Sequence, residues 1–306
     1  MPHVPTRITA SSEVSDALRR GGAVVALEST ILAHGLPAPS NRAAADAIEA
    51  AVRAHGAVPA TVAVLDGRAR VGLSGAELDR VCGDELAKLS ARDLGVAVAL
   101  SRDGATTVAA TAVLAHAVGI PLFATGGLGG VHRDARQTWD VSADLDALAR
   151  TAVLVVCSGV KSILDVPATL EVLETASVPV LGYRTDAFPG FYRRSAGLPV
   201  PWRVDAPAAA AAAWRAHTTL GGGAGMVLAQ PVPAEDELTA DLHDRLLAEG
   251  LKLVAERGVT GKDVTPTLLA HFHAGSGGAS LATNLALVVA NAALAAQVAV
   301  ALAGSR

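Results

Sequence analysis

Residues 152–175, AVLVVCSGVKSILDVPATLEVLET, decide the fold. Positions 152–158 run nearly without a polar residue and are rich in valine, which fits a strand buried on both faces rather than one with a wet side. Ser158 and Gly159 break the run, and a helical pattern over 162–176 follows. A strand that passes into a helix is the building unit of a parallel sheet. The alternation recurs along the chain. AVVALE (23–28), ATVAVLDG (60–67) with its hairpin mate ARVGL (69–73), VAVAL (96–100), PLFATG (121–126), VPVLGY (178–183) and GMVLAQ (225–230) read as strands. Residues 40–54, 75–91, 106–118, 206–217, 235–257 and 279–302 read as helices, the alanine-rich 206–217 included because it carries helix formers and a proline suited to a first turn. The expected fold is α/β: a single domain over 1–306 with a mostly parallel, mixed central sheet flanked by helices on both faces. No linker divides the chain and no tandem repeat runs through it.

Composition narrows the function classes. With 306 residues and 51% hydrophobic content, the chain can bury a sizeable core. A net charge of −4, with three Trp, two Tyr and four Phe, argues against a nucleic-acid surface. Two cysteines, Cys82 and Cys157, are too few for a disulfide scaffold or a cysteine zinc site. The most apolar long stretch, 285–303, is alanine-rich and carries Asn291 and Gln297, so no membrane span is expected. The N-terminus, MPHVPTRITASSEVSD, lacks the apolar core of a signal peptide, and a soluble cytoplasmic protein is the expectation.

Of 25 basic residues only four are lysines, at 88, 161, 252 and 262. Lysine, unlike arginine, can lose its proton and act as a nucleophile. Lys252 and Lys262 sit among charged neighbours and read as surface residues. Lys161 follows a strand and opens the predicted helix 162–176, where the positive end of the helix dipole disfavours a cation, so its amine is expected to be held below the usual lysine range. Three further strings fall at strand ends, where ligands collect in such sheets. Glu28 closes an apolar strand; apolar surroundings would suit it to general acid work, while a hydrogen bond to a neighbouring loop is the plain structural alternative. Glycines 126, 127, 129 and 130 form either a ligand loop or a tight turn, and His132 and Arg133 beside them favour an anionic ligand. Asp140 and Asp144, with no cysteine or paired histidine nearby, suit a hard oxygen-ligated ion, although Asp144 could equally cap a helix.

Several longer strings resemble one family, the pseudouridine-5'-phosphate glycosidases, also called pseudouridylate synthases. They are VALESTILAHGLPAPSN (25–41), PATVAVLDGRARVGLS (59–74), TTVAAT (106–111), FATGGLGGVHR (123–133), SADL (142–145), VVCSGVKSILDVPATLEVLET (155–175), VPVLGYRTDAFPGFY (178–192), KDVTPTLL (262–269) and LATNLALVVANAALAAQVA (281–299). The resemblance implies a homotrimer of α/β subunits that depends on a divalent metal, usually Mn2+, with Mg2+ or Fe2+ as other hard candidates. It implies reversible cleavage of the C–C glycosidic bond of pseudouridine 5'-phosphate with water, giving uracil and ribose 5-phosphate. In its pattern Lys161 is the nucleophile that forms a Schiff base, Glu28 the proton donor and Asp140 the metal position. Ser142, Ala143 and Asp144 would line the substrate or the metal's water shell, and Lys88 and Val108 would contact substrate. Lys88 could also be a solvated helix residue. Thr125, His132 and Asn284 match further pocket members, with Asn291 two turns on as the competitor of Asn284. The segment HTTLGGGAGMVLAQPVP (217–233) keeps the family's glycine-rich character with local variation. Some relatives carry a fused sugar kinase, for which 306 residues leave no room.

Two other readings use the same residues. A Schiff-base aldolase acting on a phosphorylated sugar would also need Lys161. A non-catalytic phosphosugar-binding protein, or a relative serving pigment biosynthesis, is the third; simple binding would need neither Glu28 nor a deprotonated Lys161.

Overall fold

The valine- and alanine-rich runs form the strands that their composition predicts. The computed structural model describes residues 7–304, the side chain of Lys262 excepted, so the first six residues of the N-terminal stretch and the surface position expected for Lys262 lie outside the described residues. Among the described residues the strands are β1 (Ile8–Ala10), β2 (Val24–Leu27), β3 (Val58–Leu65), β4 (Arg68–Val71), β5 (Ala87–Leu89), β6 (Gly104–Thr106), β7 (Leu122–Ala124), β8 (Leu154–Cys157), β9 (Val180–Tyr183), β10 (Trp202–Val204) and β11 (Met226–Ala229). They join in one sheet in the order β1, β4, β3, β2, β7, β8, β11, β9, β10, with β6 branching from β3 and β5 pairing with β6. Only β3 with β4 and β3 with β6 pair antiparallel. Every residue of β2, β7, β8, β9 and β11 is buried, as a sheet covered on both faces requires.

Strand β3 serves two regions. Val58–Thr61 pairs with β2, and Val62–Leu65 pairs with β4 through a two-residue turn at Asp66 and Gly67. Both turn residues have positive φ, 53° and 67°, the primed geometry that matches strand twist and favours Asp-Gly. The helix Ala279–Ala303 lies over β2, β7 and β8 with Ser40–Ala54 and Pro207–Thr219 beside it, while Val108–Val118 packs with Ala143–Arg150 on the other face. By length and composition Ala279–Ala303 would suit a membrane span. Its place in this fold is the core: Leu287, Val288, Asn291 and Ala295 are all buried.

Three expectations are corrected. VAVAL (96–100) is part of the helix Leu94–Ala99, with Leu94 and Ala97 buried and Val96 and Leu100 exposed, because a short apolar run does not reveal its period. The helix expected over 75–91 ends at Gly83, and residues 87–89 form β5, which puts Lys88 on a strand rather than a helix. The helix expected from 162 begins at Val166, with the Asp165 carboxylate accepting from the Ala168 amide at 3.0 Å and Pro167 in the first turn. Lys161 therefore stands in a loop, and the helix-dipole argument does not apply to it.

Candidate active site

Parallel strands send their C-terminal ends to one edge of the sheet, and here β2, β7 and β8 are neighbours in register. Leu27 stands opposite Ala124, and Ala124 opposite Val156. Glu28, the loop from Thr125 onward and the loop from Ser158 to Lys161 thus emerge side by side. They border a cavity of about 440 Å³ whose wall includes Glu28, Lys88, Val108, His132, Asp140, Ser142, Ala143, Asp144, Lys161 and Asn284. A volume of that order suits a small phosphorylated ligand.

Glu28 is half-buried, and its surroundings are polar rather than apolar. The Thr30 hydroxyl donates to Oε2 and the Thr125 hydroxyl to Oε1, which fixes the carboxyl plane. Thr125 is fully buried and lies behind Glu28 rather than on the wall, which revises its place as a pocket member. Its carbonyl accepts in turn from the Asn291 amide at 2.9 Å, and Asn291 also donates to Ser158 Oγ at 3.1 Å. Asn291 belongs to this supporting network. Asn284 faces the cavity, and its Oδ1 is buried without a hydrogen-bond partner, an acceptor left for a ligand donor.

Two amines share the cavity. Burial pushes the Lys88 ammonium below its usual range and the Lys161 charge pushes it further, against the pull of Asp144 and Glu28. Loss of the Lys88 proton relieves that repulsion. Lys252, by contrast, is exposed beside Glu256, as its sequence neighbours indicated. Burial holds the Cys157 thiol at about 12, so this neighbour of the Lys161 loop supplies no thiolate at neutral pH.

The acidic string divides its labour. Asp144 is buried, with Oδ1 accepting from the Ala109 amide and Oδ2 from the Gly129 amide, both at 2.9 Å. It clasps the start of the helix Val108–Val118 to the glycine loop. Ser142 caps the helix Ala143–Arg150 by accepting from the Asp144 amide at 3.2 Å, so the cap that the sequence offered to Asp144 falls to Ser142. Gly129 is required by close approach, since a Cβ there would lie 2.7 Å from Asp144 Oδ2. Asp140 has no such tie. Its carboxylate lies 3.7 Å from His132 Nδ1, at the cavity wall. No group of three His, Cys, Asp or Glu residues among the described residues could hold a metal, and Asp144 is engaged by backbone amides. The donor set is one carboxylate, which fits a hard ion that keeps most of its water and shares substrate oxygens, and does not fit a softer ion caged by protein.

Sequence reading missed part of the wall: Ser90, Arg92, Thr107, Phe191 and the stretch Thr265, Pro266 and Leu269. Ser90 and Arg92 follow Lys88 from β5 and a short turn at Ala91–Asp93, and with it they form a basic, hydroxyl-bearing end suited to a phosphate. The Ser90–Asp93 capping pair was the available signal, hidden while 75–91 read as one helix.

The family model of "Indigoidine synthase A like protein" matches residues 13–301. The chain is 58% identical to a pseudouridine-5'-phosphate glycosidase of Salinispora tropica over 94% of this chain and 90% of that protein. It is 57% identical to the enzyme of the same name from Streptomyces griseus, over 97% and 92%. Among solved structures, the prealnumycin C-glycosynthase AlnA in complex with ribulose 5-phosphate superposes with a TM-score of 0.91 at 38% identity, covering 98% of both chains. An indigoidine synthase A-like protein of Thermotoga maritima superposes with a TM-score of 0.88 at 35% identity, covering 97% of this chain and 96% of that one.

Proposed function

Because the chain belongs to the indigoidine synthase A-like family, together with the pseudouridine-5'-phosphate glycosidases, we propose that its cavity cleaves the C–C glycosidic bond of pseudouridine 5'-phosphate. Water is consumed, and uracil and ribose 5-phosphate are released. The observation that carries the reading is the placement of one oriented carboxyl, Glu28, and two amines, Lys88 and Lys161, on the wall of a single cavity.

A carbon leaving group is harder to expel than the nitrogen of an ordinary nucleoside, and a covalent amine intermediate answers that difficulty. Protonated Glu28 gives its proton to the ribose ring oxygen as the bond from that oxygen to C1 breaks. Lys161, as a neutral amine, forms the new bond to C1, and its surplus proton passes to the Glu28 carboxylate. The nitrogen lone pair then forms the C1 iminium as the C1–C5 bond to the base breaks. Glu28 returns the proton to C5 of uracil. Water hydrolyses the iminium to ribose 5-phosphate and frees the lysine. Lys88, Ser90 and Arg92 hold the phosphate, and the unpaired Asn284 Oδ1 accepts from a base N–H.

A divalent ion of the Mn2+, Mg2+ or Fe2+ class, held at Asp140, would supply charge neutralisation to substrate oxygens. We place the enzyme in the cytoplasm as a homotrimer; the exposed Trp139 and Val141, beside the cavity, are surface that a neighbouring subunit would cover. Uracil release from pseudouridine 5'-phosphate, with and without added Mn2+, tests the reading. Borohydride reduction with ribose 5-phosphate should add one sugar phosphate to the peptide SGVKSILD. Aldehyde condensation without uracil release would establish the aldolase instead, and an adduct on Lys88 would move the nucleophile there.

A further inference from the structure

Lys161 stands in a loop, so something other than a helix must aim its amine. The loop is tied to the glycine loop at both ends: the Lys161 amide donates to the Leu128 carbonyl at 3.1 Å, and the Asp165 amide to the Val131 carbonyl at 2.9 Å. Between these ties, Arg133 Nη2 donates to the Ser162 carbonyl at 3.1 Å and Nε to the Ile163 carbonyl at 3.2 Å. Those are the carbonyls of the two residues that follow the lysine. A further tie comes from the helix Ala240–Arg257, where His243 Nε2 lies 2.8 Å from Ser162 Oγ and Nδ1 lies 2.9 Å from Asp244 Oδ1. Ser, His and Asp in that order resemble a hydrolase relay, but Ser162 is buried and does not line the cavity, so its hydroxyl meets no substrate.

We propose that Arg133 is the positioning residue for Lys161, with the Ser162–His243 contact as its second anchor. The planar guanidinium suits the task because it presents several N–H groups in a fixed fork, enough to span two successive carbonyls, whereas an ammonium is a single point charge on a flexible stem. Arg133 does not border the cavity, and its Nη2 and Nε are engaged by two carbonyls, so the geometry serves the loop rather than the anion that its sequence context favoured. Its neighbour His132 does line it, beside Asp140. The clamp therefore makes the His132 loop and the Lys161 loop one body, and the distance from amine to reacting carbon is set by that body.

The assignment of Lys161 as the aimed group rests on the function proposed above, so the test has two readouts. Amide hydrogen exchange needs no substrate: in Arg133→Ala and Arg133→Lys it should quicken in peptides covering 159–166 and leave the sheet unchanged. Steady-state uracil release should show kcat of Arg133→Ala lowered by about 10- to 100-fold, the scale of a small misplacement of a reacting group, with KM nearly constant. Arg133→Lys should fall between Arg133→Ala and wild type, and His243→Gln, which can still bond Ser162, should stay closer to wild type than His243→Leu. Unchanged exchange at 159–166 in a folded variant overturns the clamp. A raised KM with kcat retained overturns it too, by returning Arg133 to anion binding. Wild-type protein that releases no uracil would sink the proposed function alone, because the exchange readout still decides the clamp.

Discussion

Replacing Asp144 by asparagine separates structural from chemical use of the acidic string. The carboxylate accepts from the Ala109 and Gly129 amides, each at 2.9 Å, in a side chain only 6% exposed. Asparagine can satisfy one amide with its oxygen, but its NH2 then faces the other donor. The loss comprises one charge-assisted hydrogen bond, worth about 1.5–3 kcal/mol, and one buried amide without a partner, which costs about 1–3 kcal/mol. The total is about 2.5–6 kcal/mol, which at the usual unfolding entropy per residue lowers Tm by roughly 4–9 °C in a chain of this size. Asp140→Asn is the control: its carboxylate makes no backbone clasp, so Tm should stay within about 2 °C, as for a surface substitution, while stimulation by Mn2+ is lost. Thermal unfolding by circular dichroism and titration of activity with Mn2+ read both effects. Asp144→Asn melting with wild type, or Asp140→Asn keeping full metal stimulation, would refute the division of roles.

Lys161→Arg should preserve charge and abolish uracil release, because guanidinium stays protonated at any working pH; an active variant would remove Lys161 as the nucleophile. Glu28→Gln keeps size and hydrogen bonding but transfers no proton, and should fold normally with turnover reduced by about 10²- to 10⁴-fold. Lys88 is held below its usual pKa by burial and by Lys161, so at neutral pH folding carries the cost of burying its charge. That cost fades as pH rises from the depressed folded value toward the ordinary lysine value, where folding releases the proton. Lys88→Met should therefore be more stable than wild type near pH 7, with the advantage shrinking as pH rises toward the ordinary lysine range; an advantage that grows with pH would contradict the burial of this charge. Sedimentation should give a single species of three times 30.7 kDa, and Trp139→Glu should shift it toward monomer.

The central strands were readable because β2, β7, β8 and β11 are buried on both faces and so carry unbroken apolar runs. Strands β1, β5, β6 and β10 have three residues each, too few to show a period, and β10 is mostly exposed. For that reason the sequence pattern carries Lys88 on a helix and does not set Ser90 and Arg92 apart. The wall residues Glu28, Asp140, Lys161 and Asn284 stand out in the string resemblance, and so does Thr125, but which groups bond to one another does not. The Thr125 hydroxyl that orients Glu28 comes from 97 residues away, and the amides that occupy Asp144 lie 15 and 35 residues away. Such pairings are set by tertiary packing, which leaves no local pattern in the chain.

A competent site requires the helix Ala279–Ala303 to be docked. Asn291, near its middle, holds the Thr125 and Gly126 carbonyls from a separation of 166 and 165 residues, and Asn284, two turns earlier, completes the wall. Contacts so distant in sequence carry the closure entropy of the intervening chain, which docking of the helix has to repay. An intermediate in which β2, β7 and β8 have paired but this helix has not docked would already bring Glu28 and Lys161 to one sheet edge, with neither the carboxyl oriented nor the base end closed. Regain of activity on refolding should therefore track burial of this helix rather than formation of the sheet.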